Sequence, residues 1–189
     1  MTLLDCAAMR TRLWVLIALS GVLLVPALSA CGADDESTSV AEGEPLTLDP
    51  LQYNVIISRF LNPDDTEDAD FLVGQPPLEG DELYLGVFMQ IKNEDEDASA
   101  PLPSSFKVVD TQDREYRPIE SNSPYALPLG GTVPPDGEYP IPDSTADVGP
   151  IEGSLVLFKI STESTEDRPL QLEIPGTTSG ESGTVELDI

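Results

Sequence analysis

Carboxylates are the side chains present in enough density to do chemistry. The chain carries 35 Asp and Glu against 9 Lys and Arg, a formal net charge of −26 over 189 residues. They gather in two runs, Asp64-Asp65-Thr66-Glu67-Asp68-Ala69-Asp70 and Glu94-Asp95-Glu96-Asp97. Hard oxygen ligands at alternate positions, as at Asn93, Asp95 and Asp97, suit Ca²⁺ held in a loop. An EF-hand register started at Asn93 fails, however: its sixth position is Ala98 where the turn needs Gly, and its twelfth is Ser104 where a bidentate Glu belongs. Two carboxylates flanking one cleft at about 5–10 Å would serve glycoside hydrolysis, but the sequence singles out no pair.

Histidine is absent. That removes the commonest general base and the commonest metal ligand together, so His-dependent triads and His-bearing zinc sites are excluded. Ser104-Ser105 and the hydroxyl-rich stretch 161–165 lack a base partner and read as loop residues. Nine scattered cations cannot form the basic patch that phosphate backbones require, so nucleic acid is excluded as a partner. No residue is nominated as catalytic, cofactor-binding or metal-ligating, and no cofactor is expected.

One thiol stands apart by its context. Arg10 and Arg12 precede an apolar run over 13–27, about the length of a signal-peptide core, which is interrupted by Gly21 and Pro26 and followed by Leu28-Ser29-Ala30-Cys31. A transmembrane helix needs roughly 20 uninterrupted apolar residues. The segment resembles the precursor of bacterial lipoproteins, whose lipobox is an aliphatic residue, two small residues and a cysteine. The resemblance implies diacylglyceryl transfer to the Cys31 thiol and cleavage between Ala30 and Cys31. It also implies a cell-membrane location at the extracytoplasmic face, held through the lipid on Cys31. An uncleaved anchor and an ordinary secretory signal, with Cys31 incidental, are the alternatives. Met9 is a second candidate start, which would discard Cys6. Either way one cysteine remains past the cleavage point, so no internal disulfide is expected.

Cleavage removes Asp5, Arg10 and Arg12 and so moves the charge from −26 to −27. The expected organisation is a signal peptide over 1–30, a flexible acidic tether over 31–45 and a domain over 46–189. Within that domain the apolar period is two. Leu83, Leu85, Val87, Met89 and Ile91 share one face of a strand over 82–93, and Leu51, Tyr53, Val55 and Ile57 share one face of a strand over 51–60. Further strands are expected over 106–110, 114–119, 153–161, 170–174 and 184–189, with 153–161 buried on both faces along part of its length. Asp110-Thr111-Gln112-Asp113 and Pro134-Pro135-Asp136-Gly137 read as hairpin turns, and 18 prolines with 14 glycines leave no room for a long amphipathic helix. Seven to eight short strands so spaced indicate an all-β, antiparallel sandwich.

Three stretches resemble immunoglobulin-like domains of unknown function found on exported bacterial lipoproteins. These are 83–93, the pair 106–110 with 114–118, and 153–160 followed by 169–174. The resemblance implies an immunoglobulin-like sandwich and transfers no catalytic residue; the acidic insert over 62–80 and the Pro-rich span 124–150 depart from it. The reading is a non-enzymatic, lipid-anchored interaction or accessory module with an envelope protein as partner. Its rivals are a weak divalent-cation-binding structural lipoprotein and a carboxylate-dependent hydrolase. Tyr84 and Phe88 lie opposite the core face of their strand, where a one-sided strand should be polar. Cover by a loop or the tether is expected there, in preference to a binding face.

Overall fold

In the computed structural model, which describes residues 38–189, the alternating segments become strands. They are β1 (Thr38–Ala41), β2 (Pro45–Leu48), β3 (Leu51–Leu61), β4 (Glu82–Asn93), β5 (Ala100–Pro101) and β6 (Lys107–Val109). β7 (Glu115–Tyr116), β8 (Thr132–Val133), β9 (Glu138–Tyr139), the short helix α1 (Thr145–Val148), β10 (Ser154–Ser161), β11 (Leu170–Pro175) and β12 (Ser182–Leu187) follow. One sheet runs β1-β12-β11-β6-β7; the other runs β10-β4-β3-β2, with β9 paired to the end of β4, and β5 and β8 form a separate ribbon. The order β10-β4-β3 facing β12-β11-β6-β7 is that of an immunoglobulin-like sandwich. The expected fold class is thereby met.

Residues 118–127 lie along the outer edge of β10, where Ile119 N donates to Leu157 O at 2.8 Å and Leu127 N to Leu155 O at 2.8 Å. That pairing covers an edge which would otherwise present open backbone groups. Between the sheets lies the main core. Leu85, Val87, Met89 and Ile91 from β4 meet Val108, Leu172 and Val185 from the opposite sheet, each essentially without solvent exposure.

Three sequence expectations are corrected. Ile57 does not share the face of Leu51, Tyr53 and Val55, because a β-bulge between Val55 and Ile57 inserts Ile56 and reverses the alternation. Ile57 then stands opposite Phe88 on the outer face, Ser58 takes the core-facing place opposite Val87, and Phe60 packs against the main core one pair further on. The tether, expected to run to residue 45, gives way to strand at Thr38, since β1 pairs in parallel with β12. A ladder of backbone bonds needs little apolar patterning, and Val40 is the one side chain of β1 that packs inward. The residues of the tether before Thr38, and the signal segment, lie outside the described residues. Finally, Pro134-Pro135-Asp136-Gly137 does turn, with Gly137 N donating to Pro134 O at 3.0 Å, but it passes the chain from β8 to β9, which pair with different strands.

β4 is buried on both faces over much of its length. Tyr84 and Phe88 head a second cluster with Leu61, Phe71, Leu72, Tyr125, Leu155 and Leu157. Phe71 meets Phe88 and Tyr125 edge-on, at ring-centroid distances of 4.9 and 4.8 Å. The cover therefore comes from the two segments that departed from the immunoglobulin pattern. Tyr84 Oη donates to Pro76 O at 2.6 Å, which satisfies the one polar atom of the pair. Gly86 sits between these aromatics, where a Cβ would lie 2.9 Å from Leu61 Cδ1 and 3.1 Å from the Phe88 ring.

Truncation of Phe88 to Ala removes a fully buried ring and should lower the unfolding free energy by about 3–5 kcal/mol. Denaturant melts measure it, and a loss below about 1 kcal/mol, the scale of an ordinary surface substitution, would mean that the outer face is not covered.

Candidate functional site

The acidic runs are used by the fold as acceptors for its own backbone. Asn62 Oδ1 accepts from Asp64 N at 3.0 Å, and Asp65 Oδ1 from Glu67 N at 2.9 Å. Asp68 is buried, accepts from Asn62 N at 2.8 Å and pairs with Arg59. The second run is organised by Asn93, wholly buried, whose Nδ2 donates to Ala98 O at 2.8 Å and Pro134 O at 2.9 Å. Its Oδ1 accepts from Asp95 N, and Asp95 Oδ1 in turn accepts from Asp97 N and Ala98 N. These are Asx turns. Asn93 is thus turned inward and is not part of a ligand set with Asp95 and Asp97. Among the described residues no three Asp, Glu or Cys side chains converge as metal ligands would. Cys31, the lipid-attachment candidate, lies outside the described residues.

Of the hydroxyl-rich stretch 161–165, Ser164 has the most polar surroundings, and they occupy it. It lies in a single 3₁₀ turn (Thr162–Thr165) after β10 and is fully buried. Its Oγ donates to Asp110 Oδ2 at 2.7 Å and is 2.6 Å from Tyr116 Oη. Asp110 opens the turn between β6 and β7. Its Oδ1 accepts from Gln112 N at 2.9 Å and Arg114 N at 3.0 Å, and its Oδ2 accepts from Arg114 Nε at 2.7 Å. Arg114 reaches on to Glu163 and Asp167. Burial alone would raise the Asp110 carboxyl, but the bonds from Ser164, Arg114 and Gln112 outweigh it and hold the group at about 2, against an ordinary 3.8. A serine locked between two partners and a carboxylate that stays ionised form a staple between the hairpin and the turn after β10. Neither a nucleophile nor a general base results.

The other half of the outer face of the β10-β4-β3-β2 sheet is open. Beyond Phe88 the side chains of β4 on that face become Gln90 and Lys92, and their partners on β3 are Asn54 and Gln52. β9 adds Glu138 opposite Lys92, and Asp147 of α1 closes one side. The resulting cleft measures about 350 Å³. Gln90 Nε2 donates to Glu152 O at 3.0 Å, Asp147 Oδ2 accepts from Asp143 N at 2.8 Å, and Lys92 Nζ lies 3.8 Å from Asp136 Oδ1. The side chains of Gln52 and Asn54 make no hydrogen bond to any described residue, and Asn54 Oδ1 is buried without a partner. Sequence reasoning passed over these amides. The available signal was the change along β4 from Tyr84 and Phe88 to Gln90 and Lys92 at alternate positions, which marks where cover ends.

No protein-family model matches the chain, and no curated protein is significantly similar to it. Among solved structures it is similar to an uncharacterized β-sandwich protein from Clostridium difficile 630, at 15% identity and a TM-score of 0.47, over 81% of this chain and 95% of that one. It is also similar to the yjhA protein from Bacillus subtilis, at 15% identity and a TM-score of 0.46, over 80% and 99% of the two chains. No residue role is carried over from either.

The staple has a pH signature. With its folded carboxyl below the unfolded value of 3.8, Asp110 contributes its stability in full only well above that value and loses it progressively as pH falls through it towards about 2. Asp110→Asn should therefore cost about 2 kcal/mol at neutral pH, with a gap to wild type that is flat down to about pH 5 and narrows below it. Denaturant melts across pH read this directly; a gap that fails to narrow in acid would show that the ionised carboxylate is not what holds the turn.

Proposed function

We propose that the chain is a cell-envelope lipoprotein, anchored through lipid on Cys31, whose β-sandwich is a non-catalytic binding module. The observation that carries the binding role is the open half of the sheet face, where three amides and a lysine line a cleft in which the Gln52 side chain makes no hydrogen bond to a described residue and Asn54 Oδ1 is buried without a partner. Elsewhere on the domain, polar groups with the right chemistry for catalysis are consumed by structure, Ser164 and Asp110 most completely.

The anchor rests on Leu28-Ser29-Ala30-Cys31 after a short, broken apolar run. Each buried CH₂ is worth about 0.8 kcal/mol, so a doubly acylated cysteine holds a protein at a bilayer where one chain would let it exchange. The acidic charge of the chain keeps the domain from lying on an anionic surface.

Conversion of Cys31 to Ser should move the exported protein from the membrane to the soluble fraction after cell fractionation. Retention of Cys31→Ser in the membrane at the wild-type level would overturn the lipid anchor.

A further inference from the structure

We infer that the cleft between β3, β4, β9 and α1 binds a neutral saccharide; the inference rests on the reading of this domain as a binding module and names its ligand class. Directly opposed residues in an antiparallel pair stand about 4.5–5.5 Å apart, and alternate residues along a strand about 7 Å apart. Asn54 and Gln90, with Gln52 and Lys92 beside them, therefore form a four-cornered polar floor of the dimensions of one sugar ring. A primary amide offers two donors and an acceptor in one plane. Vicinal hydroxyls, each both donor and acceptor, match that pattern in pairs. Glu138 and Asp147 add acceptors at the rim, and Lys92 adds a donor.

Other ligand classes fit less well. Anions meet a chain of net charge −26 and a cleft with one cation against two carboxylates. A divalent cation finds no converging set of three acidic ligands among the described residues. An apolar ligand would desolvate Gln52, Asn54 and Gln90 without replacing their hydrogen bonds. A volume of about 350 Å³ admits a mono- or disaccharide unit, and it opens to solvent so that a longer glycan can run through it.

Asn54 is the most informative corner. Buried polar atoms without a partner are rare in folded proteins, and this one lies at the floor of a solvent-facing cleft. Rotation of its amide as a hydroxyl enters gives Oδ1 the donor it lacks.

The test is an array of immobilised neutral oligosaccharides, built from hexoses and N-acetylhexosamines, probed with the full acylated protein in detergent. Oligouronates and diglycine serve as the anionic and zwitterionic comparisons. At least one neutral glycan should be retained in preference to both. The double variant Gln52→Ala with Gln90→Ala should weaken that binding at least about tenfold, the scale of one or two lost hydrogen bonds, with an unchanged unfolding midpoint. Asn54→Ala should do the same; if it unfolds the domain, the double variant decides alone. Absence of any neutral glycan binding, equal or tighter binding of oligouronates, or binding that the double variant leaves intact would each overturn the saccharide. A photoreactive residue at position 52 separates this failure from that of the module. A stoichiometric protein adduct in cells with no glycan bound keeps the binding role and discards the sugar, whereas neither adduct nor glycan discards both.

Discussion

The two-sided burial of β4 is the constraint from which the rest of the molecule follows. A sandwich strand ordinarily buries one face, but β4 carries Tyr84 and Phe88 opposite Leu85, Val87 and Met89, so the chain must supply a second roof. It does so with residues 62–80, which bring Phe71 and Leu72, and with 118–151, which bring Tyr125 and Ala146. Gly86 lets the aromatics close over the strand, since a Cβ at that position would collide with Leu61. Where the roof stops, the same sheet face turns to Gln90 and Lys92 and becomes the cleft. One strand thus sets both the second core and the edge of the candidate site.

The charge of the chain finds its use in the loops. The acids of both runs cap turns and accept backbone N–H groups, Asp68 and Asp110 anchor segments through arginine, and most of the other described acids are exposed. Asp110 in particular converts a hairpin turn into a fixed point, because its two oxygens tie together the turn backbone, Arg114 and the buried Ser164. Such a surface repels polyanions and keeps a domain without disulfides soluble. On the open half of the β10-β4-β3-β2 face it leaves three amides, Gln52, Asn54 and Gln90, among Lys92, Glu138 and Asp147.

Much of the frame was legible from alternation. The bounds of β4 coincide with the sequence pattern, β10 is buried on both faces as its unbroken apolar run implies, and Asp110-Thr111-Gln112-Asp113 closes the β6–β7 hairpin. The parts that escaped obey other rules. The bulge at Ile56 is an insertion that period-two reasoning cannot register, and it moved Ile57 to the opposite face. β1 is held by backbone pairing to β12, with a sequence of small and polar residues that carries no apolar signal. β5, β8 and β9 are two residues each, shorter than any period can reveal. The amide cleft joins β3, β4, β9 and α1, so it exists only in the folded pairing.

The division of one sheet face into a covered and an open half is most directly measured by NMR of the full chain with a soluble paramagnetic probe. The side-chain amides of Gln52, Asn54 and Gln90 should be broadened while the rings of Tyr84 and Phe88 stay sharp. Broadened rings at 84 and 88, or amides at 52 and 90 as protected as the core, would contradict it.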